Sequence, residues 1–380
     1  MYIETHSHLL VSGPVVFTRW GSSTCPPHTT KLYNSFMAGS SSLLRGGGYN
    51  FLCMHPEPQP PIGHDDEHHE ESNRLRGTQY IASYDKKKPL GDAACAVCQD
   101  NTATAVYVQW GRTRCSNGHT TQYSGTIMSS SHDGHKAKNV CVDSQQTLSN
   151  NAKITHNWGS GLYSTVMDAG ASDEDRYPKE RKLACAVCSP VAPTRILTHW
   201  GSRTCPSSRN IRKLYDGFVA GSQSELIQGG GASFLCMHPN PQHAGNVSET
   251  AEYINRLNGV EYVSNGVLDK NGDQDAACAV CEYADTPAVY VQWGRVRCSN
   301  GHTTQYSGLI MSSHYASFKA ENICVDLQRA VHPHSHKERQ AGGRLYSSES
   351  RSGAIDERKY PTNREAACAV CSANNNTRRE

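Results

Sequence analysis

The chain has 380 residues, with 37 basic and 35 acidic side chains scattered along it and a formal net charge of +2. It carries no basic stripe for nucleic acid and no apolar run near the roughly 18–20 residues of a membrane span. Hydrophobic residues are only 37% of the chain and Phe occurs 6 times, so the core is lean, whereas 16 cysteines, an even number, point to an oxidised disulfide framework and a secreted protein.

Taken in chain order, the opening stretch Met1–Pro14 lacks the basic–apolar–small pattern of a signal peptide, so the numbering is expected to start at a mature or incomplete N-terminus. The phrase W-G-x-x-x-C follows at Trp20–Cys25 and recurs at Trp110–Cys115, Trp200–Cys205 and Trp293–Cys298. Each copy has a second cysteine 26 to 31 residues on (Cys53, Cys141, Cys236 and Cys324). Each closes with A-C-A-V-C, at Cys95/Cys98, Cys185/Cys188, Cys278/Cys281 and Cys368/Cys371. Four cysteines per copy account for all sixteen. The fold class this predicts is mainly β and disulfide-rich, with four pseudo-repeats of about 90 residues arranged as two tandem halves. The halves are 14–190 (units 14–100 and 104–190) and 192–373 (units 192–283 and 287–373). Units one and three share F-L-C-M-H-P (Phe51–Pro56, Phe234–Pro239) and a glycine triplet, and from Val106 to Ser130 unit two matches unit four at 23 of 25 positions. The S-P-V-A-P stretch, Ser189–Pro193, reads as an extended connector between the halves.

Val106, Val108 and Trp110 alternate with Tyr107 and Gln109, and Ile196, Thr198 and Trp200 repeat the period, which is the signature of a strand. Asn-Gly pairs at 117–118, 265–266, 271–272 and 300–301 mark tight turns. Lys31–Phe36 and Ser248–Leu257 are read as room for one or two helical turns. The recurring Trp is read as core, and Trp158, outside the pattern, as a surface aromatic. The polar loops after each second cysteine differ between copies. Two are rich in histidine, Gly63–Glu71 and Val331–Lys337, and offer ligands to a transition metal if they are not simply solvated.

C-A-V-C admits zinc ligation, a redox pair or structural disulfides. Ala and Val replace the turn formers of a zinc knuckle, and no helix follows to lower a thiol pKa, so disulfides are expected. Positions i and i+3 of a strand face opposite ways, so the two cysteines are expected to bridge to different partners within their own unit, in a pairing that the sequence leaves open.

The candidate ligand-binding residues lie in C-S-N-G-H-T-T-Q-Y-S-G: His119, Gln122 and Tyr123, with their copies His302, Gln305 and Tyr306. The competing reading is a structural turn. Asp269, Asn271 and Asp273 place oxygens at alternate positions, as calcium loops do, against the alternative of a solvated turn; calcium is the cofactor such a loop would take. N-x-S/T sequons make Asn246 and Asn375 candidate glycosylation sites. No catalytic motif is present, and no cysteine stands apart as a nucleophile, so catalytic residues are not assigned and no enzymatic activity is expected.

V-Y-V-Q-W-G-R-x-R-C, Q-Y-S-G-x-I-M-S-S, the C-V-D of Cys141–Asp143 and the closing A-C-A-V-C resemble the cysteine-rich non-collagenous region of the sponge short-chain (spongin-type) collagens, found also in secreted proteins of cnidarians and molluscs. The resemblance covers essentially the whole chain, twice. It implies an extracellular protein. The chain departs from the family in lacking a Gly-X-Y tract, of which Ser12-Gly13-Pro14 is at most a relic. The resulting expectation is an extracellular matrix or skeletal-filament protein that associates with itself, with other matrix proteins or with a mineral phase. The second expectation is a multivalent lectin binding glycans through repeated polar loops.

Overall fold

The computed structural model describes residues 14–40, 49–59, 75–81, 89–132, 134–149, 160–167, 175–178, 181–192, 194–222, 228–248, 255–263, 274–284, 286, 288–314, 318, 320–333, 343–350, 358, 361 and 363–373. Strands dominate these residues, and none of them is helical. No helix is long and apolar enough to cross a membrane.

Unit one contributes β1 (Val15–Trp20), β2 (Thr30–Ser40), β3 (Leu52–Cys53), β4 (Leu75–Ile81), β5 (Pro89–Asp92) and β6 (Ala94–Asp100). The closing motif is the middle strand. One edge of β6 pairs antiparallel with β1, from Trp20↔Cys95 to Val15↔Asp100, and the other with β2, from Phe36↔Ala94 to Thr30↔Gln99. Beyond the end of β6, β2 runs on to pair with β3 and β4. A strand covered on both faces must be apolar on both, which is why Ala and Val rather than turn formers separate its cysteines; Ala94–Cys98 are all buried.

The same ladder occurs in the other units. Unit two has β7 (Tyr107–Trp110), β8 (His119–Ser129), β9 (Val140–Asp143), β10 (Ser160–Met167) and β11 (Arg181–Pro190), with β11 between β7 and β8. Unit three has β12 (Thr194–Trp200), β13 (Ile211–Gly221), β14 (Leu235–Met237), β15 (His243–Ser248), β16 (Asn255–Tyr262) and β17 (Ala277–Ala284), with β17 between β12 and β13. Unit four has β18 (Val289–Trp293), β19 (His302–Ser312), β20 (Ile323–Asp326), β21 (Gly343–Ser347) and β22 (Ala367–Ala373), with β22 between β18 and β19.

Two expectations are corrected. Lys31–Phe36 lies within β2, not in helical turns, with a register shift between Lys31 and Tyr33; Ser248 and Asn255–Leu257 are likewise strand residues. The middle strand needs a hydrogen-bonding partner on each edge, and that tertiary demand overrides a weak local helical preference. The connector between the halves is also shorter than read. Ser189 and Pro190 belong to β11 and pair with Thr120 and His119, leaving residues 191–193 as the link.

All sixteen cysteines are bridged, in one pattern. The first pairs with the fourth: Cys25–Cys98, Cys115–Cys188, Cys205–Cys281 and Cys298–Cys371. The second pairs with the third: Cys53–Cys95, Cys141–Cys185, Cys236–Cys278 and Cys324–Cys368. The two cysteines of each C-x-x-C thus tie opposite faces of the middle strand to different segments of their own unit.

The apolar core lies between units. Met37, Phe51 and Tyr80 of unit one cluster with Met128, Val142 and Leu162 of unit two. Met167, Tyr177 and Val187 of unit two cluster with Phe218, Leu235 and Met237 of unit three. Val260 and Tyr262 of unit three cluster with Met311, Val325 and Leu345 of unit four. Parallel ladders follow the same joints, with β4 beside β10, β10 beside β16 and β16 beside β21. Among the described residues, every strand pairing between units joins successive units, as in a linear repeat array.

Candidate functional site

The recurring chemistry of the molecule is concentrated at these joints. The W-G phrase ends the first strand of each unit, and three of the four phrases dock on the strand of the next unit's second cysteine. Trp20 pairs in parallel with Val142, Trp110 with Met237 and Trp200 with Val325, each partner being the residue after that cysteine. The following glycine turns the chain with positive φ (Gly21 +85°, Gly111 +83°, Gly201 +81°). This left-handed conformation favours glycine, and a Cβ there would also meet close neighbours: at Gly21 and Gly201 the next unit's Val142 Cγ1 at 2.7 Å and Val325 Cγ1 at 2.8 Å, and at Gly111 Tyr177 Oη of its own unit at 2.6 Å. The glycine carbonyl then accepts a backbone N–H from the next unit: Thr147 to Gly21 at 2.9 Å, Gln242 to Gly111 at 2.7 Å and Ala330 to Gly201 at 2.7 Å.

A tyrosine seals each joint. Tyr33, Tyr123, Tyr215 and Tyr306 all stand opposite the valine of their own C-A-V-C. The hydroxyls of Tyr123, Tyr215 and Tyr306 donate to the carbonyls of Cys141, Cys236 and Cys324 at 3.1, 3.1 and 3.0 Å. They also accept the backbone N–H of the preceding unit's Trp20, Trp110 and Trp200. Burial pushes these three phenols well above their ordinary pKa, so they remain protonated donors.

A carboxylate completes two joints in the same way. Arg19 reaches Asp143 with Nε–Oδ2 at 2.7 Å and lies over the Tyr123 ring. His199 reaches Asp326 with Nε2–Oδ2 at 2.6 Å and stacks on Tyr306 at 4.1 Å. The joint between units two and three has no carboxylate at this position. Gln242 Oε1 accepts from the Thr113 backbone N–H and hydroxyl, both at 2.9 Å, and Arg112 Nη1 donates to the Asn240 carbonyl at 2.9 Å.

The six candidate ligand residues serve this framework. Tyr123 and Tyr306 are the seals just described, 6% and 7% exposed. Gln122 is buried, donating to Asp100 Oδ2 at 2.9 Å and Ser189 Oγ at 2.7 Å; Gln305 donates to Ser372 Oγ at 2.6 Å. The ring of His119 is held between the Tyr107 hydroxyl at 2.9 Å and Glu282 Oε1 of unit three at 3.1 Å. His302 meets the hydroxyl of Tyr290. Among the described residues these side chains are engaged with framework partners, and a cleft lined by Gly118 and Glu282 lies beside His119. Two clefts, one lined by Arg176, Tyr177, Asp216 and His332 and the other by Val191, Arg212 and Glu282, are not lined by any of the six. Of the Trp residues read as core, Trp20, Trp110 and Trp200 pack half-buried against the shared clusters, but Trp293 is 48% exposed.

Asp269, Asn271, Asp273, Asn375, Trp158, Gly63–Glu71 and residues 334–337 lie outside the described residues. Asn246 is in β15. Among the described residues no three His, Cys, Asp or Glu side chains converge as metal ligands. The sequence reading missed Arg19, His199, Asp143 and Asp326. A signal for them exists: Arg or His precedes Trp only in units one and three, and C-V-D occurs only in units two and four.

Two tests arise at the joints. Tyr306→Phe should cost about 1–2 kcal/mol, because it leaves the Cys324 carbonyl and the Trp200 N–H buried without their partner; urea denaturation of the two proteins measures it. Glu321 of unit four accepts the Phe234 N–H of unit three at 2.5 Å, and burial pushes its carboxyl up to about 7. Because the folded value is raised, its contribution is fully present below about pH 4.5 and is lost as pH rises through about 7. Glu321→Gln should therefore melt like the parent at pH 4.5 and be more stable by about 1–2 kcal/mol at pH 8, since one pKa unit is about 1.4 kcal/mol and the side chain is partly solvated.

No family model matches the chain.

Proposed function

We propose that this is a secreted, non-enzymatic structural protein of the extracellular matrix or a skeletal filament, acting as a disulfide-locked building block that self-associates or binds other matrix proteins. The observation that carries the reading is the engagement of Tyr123, Gln122 and His119 in framework hydrogen bonds, with Tyr306 buried in the same way and Gln305 and His302 partly buried on their own unit's partners. A multivalent lectin would present these polar groups to solvent. Here they are consumed in holding strands and units together. Eight disulfides suit an oxidising extracellular setting, and the likeness of the W-G, C-V-D and A-C-A-V-C motifs to spongin-type collagens supports the same assignment.

The test is a glycan-array screen of the natively oxidised protein, with calcium and again with a chelator, alongside light scattering over a concentration series. The expected result is no selective sugar binding in either condition and scattering that rises faster than concentration. Selective binding to one sugar class would overturn the structural reading in favour of the lectin, and its loss on chelation would direct attention to Asp269, Asn271 and Asp273.

A further inference from the structure

Units two and three meet through a plug, Val106–Arg112, and a socket, Phe234–Pro239. Unit four carries the same plug residue for residue, Val289–Arg295, and unit one the same socket, Phe51–Pro56. The socket match extends through Pro-Gln, with Gln59 in the place of Gln242. From these we infer that the plug of one chain docks into the socket of a second copy, reproducing the joint between units two and three and adding chains head to tail. This rests on the structural function proposed above and names the surface by which it would operate.

Burial differs between the identical sequences in the way the inference requires. In the formed joint Leu235 is 2%, Met237 0% and Phe218 1% exposed, Phe218 lying edge-on to Tyr177 of unit two at 5.1 Å. Their counterparts in unit one are open: Leu52 is 36% and Phe36 39% exposed, and Met54 is only partly buried. On the plug side Gln109 is 1% exposed in the joint, whereas Gln292 is partly buried and Trp293 is 48% exposed. Exposing Trp, Phe and Leu to water at both ends is unfavourable, and covering them contributes about 25 cal/mol per Å².

Both ends keep features of the formed joint, although unit one has Ser35 in place of Gly217 and unit four Val296 in place of Thr113. Gly294 holds φ +79°, the conformation of Gly111 in the formed joint. Tyr33 donates to the Cys53 carbonyl at 3.2 Å, as Tyr215 does to Cys236, so its hydroxyl is placed to accept the N–H of an incoming Trp293. The ends also match in type. The joints that set Arg19 or His199 against a carboxylate use Asp143 or Asp326, whereas the socket of unit one offers His55, the residue type of His238. Where Arg112 meets the backbone of Asn240, an incoming Arg295 would meet Glu57, so the intermolecular joint gains an opposite-charge pair at a position where the internal one has an amide. The socket strand of unit one is one residue shorter. A plug on one end and a socket on the other make a heterologous contact, which builds open filaments unless its rotation closes a ring.

The test is sedimentation velocity of the natively oxidised full chain. Wild type should sediment faster as concentration rises. Trp293→Asp, which spoils only the plug, and Leu52→Asp, which spoils only the socket, should each remain single chains at every concentration, thermal melts serving to show that each variant is still folded. An equimolar mixture of the two should yield dimers and nothing larger, since one good plug and one good socket remain. As a milder pair, Arg295→Glu and Glu57→Arg should each weaken assembly alone and restore it when mixed. If wild type assembles and both Asp variants assemble equally well, this joint is refuted while the structural function stands. If wild type stays a single chain throughout, the joint and the self-association it serves are both refuted.

Discussion

Gly217→Ala is expected to destabilise the protein by about 3 kcal/mol or more, at the upper end of overpacking costs. A Cβ at Gly217 would lie 1.8 Å from the Met237 carbonyl oxygen, and backbone cannot move aside as a flexible side chain can. The displaced strand is β14, which carries Cys236 and receives Trp110, so one methyl group would disturb a disulfide, a core cluster and a joint together. Units two and four have the same close approach: Gly125 would place a Cβ 1.7 Å from the Val142 carbonyl oxygen, and Gly308 one 2.3 Å from that of Val325. The expected order of damage is Gly125→Ala and Gly217→Ala first, then Gly308→Ala. Gly77 is the control, because nothing lies within 4 Å of its missing Cβ; Gly77→Ala should fall within about 0.5 kcal/mol of wild type. Thermal melts of the four variants decide the matter, and a Gly217→Ala protein melting with the wild type would show that the close approach does not constrain the fold.

Removing the bridge between the second and third cysteines of a unit should cost more than removing that between the first and fourth. Chain entropy alone predicts the reverse by a small margin. It gives about 4 kcal/mol for either loop and slightly more for the longer one; the spans are 44 residues for Cys141–Cys185 and 73 for Cys115–Cys188. Burial reverses the order. Cys141 and Cys185 are 1% and 0% exposed, so paired serines there bury two hydroxyls in an apolar cluster at about 1–3 kcal/mol each, whereas Cys115 is only partly buried. Guanidinium unfolding of the two double serine variants should show the Cys141→Ser/Cys185→Ser protein as the less stable. Equal midpoints would mean that loop entropy alone sets the contribution of these bridges.

The parts of the fold legible in the sequence are those whose physics is local or repeated. Strand periodicity around Trp110 and Trp200, the assignment of cysteines four to a unit, and the opposite facing of the two cysteines in C-A-V-C all follow from spacing. The pairing of first with fourth and second with third was not legible, because it depends on which edge of β6 each strand takes. Lys31–Phe36 was misread because its strand state is imposed by β6, some 60 residues further on. His119, Gln122 and Tyr123 looked like a ligand site because polar side chains gathered at a turn do so in any sequence. Their roles depend on Trp20, Asp100 and Glu282, which no local pattern connects to them. A usable clue was present in Tyr123. A tyrosine before the strand's small residue occurs in all four units, as Tyr33, Tyr123, Tyr215 and Tyr306, and a position kept in every copy while the loops vary marks framework more than ligand.

A lean core, sixteen cysteines and joints that hold the apolar residues describe a chain whose stability lies between units as much as within them. Among the described residues, Phe36 and Leu52 of unit one and Trp293 of unit four are the exposed counterparts of residues covered at the joint between units two and three. The measurement that tests this account most directly is electron microscopy of the natively oxidised protein over a concentration series. The account predicts linear strings of uniform polarity, lengthening with concentration, in which the spacing of units across each chain-to-chain contact equals that between units two and three. Isolated single chains at every concentration, or side-by-side pairs that never extend, would contradict it.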